Sequence, residues 1–256
     1  MKLTTTAGRL DYRWHGPDPG RAPTLVFLHE GLGSVELWRD VPRLLAEQTA
    51  CGALVYSRAG YGASDPAPLP RPVRFMHDEA IILGEVLRGA GVRDAILIGH
   101  SDGASIALIH AGTAPAVRLH GLVLEAPHVF VEPLTVKSIA AVATQYRTTD
   151  LRPRLAKYHG RNVDNAFDGW SGVWLDPAFL AWNIENVLPA ITAPMLALQG
   201  EDDEYGTWNQ VAAIERAATV PVEARRLPDC GHSPHRDRPD LVLPAIVDFV
   251  ARVRPH

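Results

Sequence analysis

Gly99-His100-Ser101-Asp102-Gly103 places a serine two residues from a glycine on each side. That spacing suits a sharp strand-to-helix turn, where bulky neighbours would clash and the serine backbone is strained. The hydroxyl would then stand above a sheet edge at a helix N-terminus, which favours developing negative charge. A serine hydroxyl is a weak nucleophile without a base, so the chain must also supply a histidine and a carboxylate. His232, after Gly231 in Asp229-Cys-Gly-His-Ser-Pro-His235, is the candidate base, with His235 as a loop residue beside it. Glu201-Asp202-Asp203-Glu204 offers the carboxylate, and the Gly200-x-x-Asp203 spacing favours Asp203. Asp202 is a substitute, and so is Glu125, which ends the run Leu122-Val-Leu-Glu125. Nucleophile, acid and base then occur in the order Ser101, Asp203, His232.

Acyl transfer also needs donors for an oxyanion. His29-Glu-Gly-Leu-Gly-Ser34 can bring a backbone N–H close to a reacting carbonyl. The expected donors are the N–H groups of Gly31 and of Asp102, with Glu30 one position away. Glu30, Phe130, Trp170 and Trp174 are expected to border the substrate. Glu30, Asp102, Asp202 and Glu204 surround the three loops, and no Lys or Arg lies within them. With Asp102 at the acyl pocket, neutral or cationic substrates should be preferred over anionic ones. Arg58 or an Arg from the long segment 128–190 would reverse that local field.

These residues must be carried by strand ends. Short apolar runs alternate with segments of helical period, the pattern of a mostly parallel sheet with crossover helices. Leu3 to Trp14 reads as a strand or hairpin, and Thr24–His29, Ala53–Ser57, Ala95–Ile98, Leu122–Leu124, Met195–Leu198 and Val222–Leu227 read as strands. Val35–Thr49, Val73–Gly89, Ala104–Gly112, Thr207–Ala218 and Pro239–Val253 read as helices, while proline-rich Asp65–Pro72 must be a loop. Pro133–His159 and Pro177–Asn186 are helix-compatible, and aromatic residues crowd the stretch around Trp170. So long a segment between two strands is an element in its own right.

The 256 residues are 46% hydrophobic and 21% charged, which excludes disorder as the main state. A net charge of −4 with no basic cluster argues against a nucleic-acid or anionic-membrane surface. No apolar run approaches the ~20 residues that span a bilayer, and the N-terminus lacks the apolar stretch of a signal peptide. Cys51 and Cys230 have no metal-ligand spacing; a disulfide between them is possible, but a reducing cytoplasm is the simpler expectation. His232 and His235 have no third ligand placed by spacing, so neither a metal nor another cofactor is expected.

LHEGLGS, SRAGYGAS, GHSDG, GEDDEYG and CGHSPH stand in the order seen in the α/β-hydrolase family, which the chain resembles over nearly its full length. The resemblance implies a mostly parallel sheet of about eight strands flanked by helices. It also implies a helical cap after the sixth strand, giving a core of residues 1–127 and 191–256 and a cap of 128–190. Hydrolysis of an ester or related acyl bond of a small molecule, through an acyl-enzyme, follows from the same resemblance. The family's usual His-Gly pair reads His29-Glu30 here, which bears on the oxyanion donor. GHSDG is also similar to the elbow of biphenyl-hydrolase-like esterases that act on amino-acid esters. A carbon–carbon hydrolase, a lactonase and a lyase are alternatives on the same fold. A ligand receptor that has kept the residues without turnover is the alternative from another class. A dehalogenase is disfavoured because its nucleophile would be a carboxylate.

Overall fold

The computed structural model describes Met1–Thr113 and Pro115–Pro255. The chain opens with an antiparallel hairpin, β1 (Lys2–Thr5) and β2 (Gly8–His15), whose mixed composition leaves much of it half-exposed. The uninterrupted apolar runs become strands covered on both faces, as parallel sheets require. These are β3 (Thr24–Leu28), β4 (Gly52–Tyr56), β5 (Asp94–His100), β6 (Arg118–Glu125) and β7 (Met195–Gly200). The edge strand β8 (Val222–Leu227) is more polar and only partly covered. All eight form one sheet in the order β1-β2-β4-β3-β5-β6-β7-β8, parallel from β4 to β8.

Helices α1 (Val41–Thr49), α2 (Phe75–Gly89) and α3 (Asp102–Thr113) alternate with the strands. Between β6 and β7 lie α4 (Pro133–Thr148), α5 (Leu151–His159) and α6 (Val163–Trp174), followed by two short 3-10 turns. The chain closes with α7 (Asn209–Ala217), the single turn α8 (Pro234–Asp237) and α9 (Pro239–Val253). One hydrophobic layer, including Leu83, Ile106 and Trp174, covers one face of the sheet. The other, including Leu45, Val242 and Phe249, covers the opposite face. Cys51 and Cys230 are buried free thiols. Among the described residues no helix is long and apolar enough to cross a membrane.

Three expected helices are broken. Val35–Thr49 divides into a 3-10 turn, Val35–Trp38, and α1, because Arg39 adopts a left-handed φ of 51° and Pro42 opens a new first turn. Pro133–His159 divides at Thr149, whose backbone is extended. Pro177–Asn186 breaks near Asn183, whose backbone pairs with Phe130 in an isolated bridge. The aromatic stretch itself is α6.

Strand order reverses between β3 and β5, which pair directly although β4 separates them in sequence. In an open parallel sheet, ligands bind beyond the strand ends at such a point. Leu28 pairs with Gly99, His100 with Glu125, and Glu125 with Leu198, so the loops after β3, β5, β6 and β7 emerge level with one another.

Candidate active site

Ser101 sits between β5 and α3 with a left-handed φ of 53°. Its N–H donates to the Glu125 carbonyl at 2.9 Å, and its own carbonyl accepts from Ala104 N–H at 2.9 Å. Gly103 is required by crowding: a Cβ there would come within 2.0 Å of the Leu28 carbonyl. The elbow is thereby pressed against the end of β3.

Nε2 of His232 lies 2.9 Å from Ser101 Oγ, and its Nδ1 lies 2.9 Å from each Asp203 oxygen. Asp203 follows β7 on the turn that opens at Gly200, and His232 follows β8. Asp203 also accepts from Tyr205 N–H at 2.8 Å, Gly206 N–H at 3.1 Å and the Gln199 amide at 2.6 Å. Burial alone would raise the Asp203 pKa, but the charge and hydrogen bond of His232 and the Tyr205 N–H bring it below the ordinary value. An ionised Asp203 keeps the proton on Nδ1 of His232, which leaves Nε2 to accept from the serine hydroxyl. His100 Nε2 donates to the His232 carbonyl at 2.6 Å and holds that loop from below.

The other expected acids are engaged elsewhere. Glu125 Oε2 accepts from Nδ1 of His235 at 2.7 Å and from its N–H at 3.1 Å. Asp202 is exposed on the turn, with its N–H bound to the Cys230 carbonyl. Phe130, expected at the substrate, lies off the cavity wall. Its bridge with Asn183 and the bond from Gln210 Nε2 to its carbonyl, at 3.2 Å, hold the segment aside.

Ser101 and His232 open onto a cavity of about 150 Å³ lined by Glu30, Gly31, Leu32, Asp102 and His128. Thr135, Ile139, Trp170, Trp174 and Tyr205 complete its wall. A Cβ on Gly31 would meet the Trp170 indole at 2.1 Å, so the loop and α6 touch only because residue 31 has no side chain. The N–H groups of Gly31 and Asp102 have no acceptor among the described residues. Sequence spacing does not single out Tyr205 or His128; their one legible signal is position, His128 just past β6 and Tyr205 two residues past Asp203.

The sequence pattern of the alpha/beta hydrolase family matches residues 25–245. The chain belongs to that family. It is 29% identical over 225 residues to the protein named "Putative carbamate hydrolase RutD" of Stutzerimonas stutzeri, covering 78% of this chain and 82% of that protein. It is 25% identical over 273 aligned residues to 2-succinyl-6-hydroxy-2,4-cyclohexadiene-1-carboxylate synthase of Yersinia enterocolitica, covering 93% and 91%. Among solved structures, the enol-lactonase from Burkholderia xenovorans LB400 superposes with a TM-score of 0.76 at 20% identity, covering 98% of this chain and all of that one. A thermophilic esterase from Thermogutta terrifontis gives a TM-score of 0.73 at 21% identity, covering 99% and 98%.

In this alpha/beta hydrolase the charges near the cavity are arranged differently from the sequence expectation. Asp102 borders the cavity, but it is fully buried and its carboxylate is engaged by neighbours. Its Oδ1 accepts from Trp174 Nε1 at 3.1 Å, and its Oδ2 faces the Arg58 guanidinium at 3.8 Å. Burial pushes its carboxyl above the ordinary range despite Arg58. Glu30 is the other carboxylate on the wall, with Oε2 3.7 Å from His100 Nδ1. Burial would raise its pKa, but His100 outweighs burial and holds Glu30 well below the usual range. His100 is raised in turn, because Glu30 and Glu125 more than offset its own burial.

Proposed function

We propose that the chain is a serine hydrolase of small carboxylic esters. The observation that carries this reading is the hydrogen-bonded chain Asp203–His232–Ser101, which ends in a cavity beside two N–H groups without acceptors. His232 takes the Ser101 proton as Oγ attacks the ester carbonyl. Asp203 holds the imidazole in the required tautomer and stabilises the imidazolium. The Gly31 and Asp102 N–H groups receive the oxyanion. Collapse of the tetrahedral intermediate expels the alcohol, protonated by His232, and water repeats the cycle on the acyl-enzyme.

The wall carries Glu30 and Asp102 and no Lys or Arg among the described residues, which favours neutral or cationic esters over anionic ones. Two unit charges ~6 Å apart interact by roughly 3 kcal/mol at an effective dielectric of 20, enough to sort substrates by sign. A carbon–carbon hydrolase of acidic substrates would need a cationic anchor at that wall. With the Asp102 carboxylate buried between Trp174 and Arg58, Glu30 is the group that would do the sorting.

A fluorophosphonate should label Ser101, and p-nitrophenyl acetate should give a burst equal to the enzyme concentration. Ser101→Ala should lose both. Near-native hydrolysis by that variant would overturn the reading, and an unlabelled Ser101 with no turnover of any ester would favour a ligand receptor. Matched esters bearing an ammonium, no charge or a carboxylate test the sorting. Faster turnover of the carboxylate ester by wild type would remove Glu30 from this role.

A further inference from the structure

Arg58 lies two residues beyond β4, is 1% exposed and is absent from the cavity wall. Its Nη1 donates to the His29 carbonyl at 2.7 Å and its Nη2 to the Glu30 carbonyl at 3.0 Å. The same Nη2 faces Asp102 Oδ2 at 3.8 Å, and the Tyr61 ring lies 5.0 Å from the guanidinium carbon. One buried cation therefore touches both segments whose N–H groups line the cavity.

His29 adds a second donor. The Arg58 backbone N–H donates to His29 Nε2 at 3.1 Å, so that nitrogen carries no proton. Burial and the neighbouring Arg58 charge keep the ring neutral, which puts its single proton on Nδ1. Nδ1 lies 2.7 Å from the Glu30 carbonyl and donates to it. The Glu30 carbonyl also accepts from the Gly33 N–H at 3.1 Å, so it takes three hydrogen bonds, of which the one from Arg58 is charge-assisted.

The peptide joining Glu30 to Gly31 is trans, since the cis bond among the described residues is Leu69-Pro70. In a trans peptide the C=O and N–H point in opposite directions. With the Glu30 oxygen held by Arg58 behind the loop, the Gly31 N–H points away from Arg58, and Gly31 lines the cavity. Peptide resonance links the two ends, so drawing electron density onto the oxygen strengthens the N–H as a donor.

We infer that Arg58 is a positioning residue for the oxyanion hole: it fixes and polarises the Glu30–Gly31 peptide and ties it to the Asp102 segment. The inference rests on the serine-hydrolase reading above. A lysine would not replace it, because a single ammonium cannot offer the planar fork that reaches two carbonyls and a carboxylate together.

The test compares wild type with Arg58→Met and Arg58→Lys, using p-nitrophenyl acetate, a trifluoromethyl ketone that forms a tetrahedral adduct, and an unreactive amide of matching shape. Loss of one oxyanion donor costs roughly a hundredfold or more in kcat, so weakening one should cost roughly tenfold to a hundredfold, with KM within about twofold. Ketone affinity should fall by the same factor as kcat, while amide affinity stays unchanged. If Arg58→Met does not fold, Arg58→Lys must show the same proportional loss at lower amplitude. Variants that lose thermal stability yet keep wild-type kcat and ketone affinity would make Arg58 merely structural and overturn the inference. A wild type that neither labels with fluorophosphonate nor binds the ketone would instead overturn the serine-hydrolase reading, and this inference with it.

Discussion

Glu125, at the end of β6, is bound by His235 through both the ring Nδ1, at 2.7 Å, and the backbone N–H, at 3.1 Å. Three residues earlier, in the loop that leads into α8, His232 turns to Asp203 instead. Two carboxylate–histidine pairs therefore lie side by side, and of the two imidazoles it is His232 that reaches Ser101. Asp203→Asn should lower kcat by roughly three to four orders of magnitude, because the amide would hold the imidazole in the wrong tautomer. Glu125→Gln should lower thermal stability and cost less than about tenfold in kcat. Steady-state kinetics and melting curves on both variants separate the roles; the reverse pattern would reassign the acid to Glu125.

The left-handed Ser101 backbone stores strain that serves the elbow. Ser101→Ala keeps that strain and should fold with nearly unchanged stability. Ser101→Gly should relieve it and be more stable than the alanine variant by about 1 kcal/mol, less whatever the glycine adds to unfolded-chain entropy. Both should be inactive. Urea unfolding measures the difference, and an alanine variant at least as stable as the glycine one would contradict it.

His128 links stability to pH. Burial, helped by the nearby His232, pushes its pKa down from 6.5 to about 3. The unfolded chain therefore binds a proton at His128 below about pH 6.5 that the folded chain refuses until near pH 3, so stability falls as pH falls through that window. The contribution is complete above pH 6.5 and is on the order of 5 kcal/mol across the full interval. His100 works in the opposite sense: its raised pKa stabilises fully below 6.5 and loses that effect as pH rises through the folded value. Urea unfolding from neutral pH to about pH 4 should show a shallower acid slope in His128→Gln than in wild type. Equal slopes would contradict the assignment.

The size of the cavity should limit acyl length. With Ile139, Trp170 and Trp174 bounding about 150 Å³, acetyl and butyryl esters should be turned over faster than decanoyl esters. Ile139→Ala should cost about 2–4 kcal/mol of stability and move the optimum toward longer chains. A panel of p-nitrophenyl esters reads both. Turnover rising steadily to hexadecanoyl in wild type would contradict a compact pocket.

Local rules made part of this protein legible from residues alone. Gly99 and Gly103, two residues either side of Ser101, announce a turn with no room for side chains at those two positions, and uninterrupted runs such as Leu25–Leu28 and Ala95–Ile98 announce strands covered on both faces. The order of Ser101, Asp203 and His232 along the chain could likewise be read directly. Helix breaks at Arg39 and Thr149 could not, because each turns on one backbone angle that carries no hydrophobic period.

What the tertiary structure decided is pairing. His232 and His235 lie three residues apart, and Asp202, Asp203 and Glu125 all stand at neighbouring strand ends; the Gly200-x-x-Asp203 spacing favours Asp203 but does not by itself fix which imidazole meets which carboxylate. The alignment of β6, β7 and β8 does, by setting Glu125 beneath His235 and Asp203 beneath His232. Asp102 and Arg58 make the same point for charge. Forty-four positions apart in sequence, they meet in the interior. A buried charge must find a partner or hydrogen bonds because water is denied to it, and which group it finds depends on what the folded strands bring within a few ångströms.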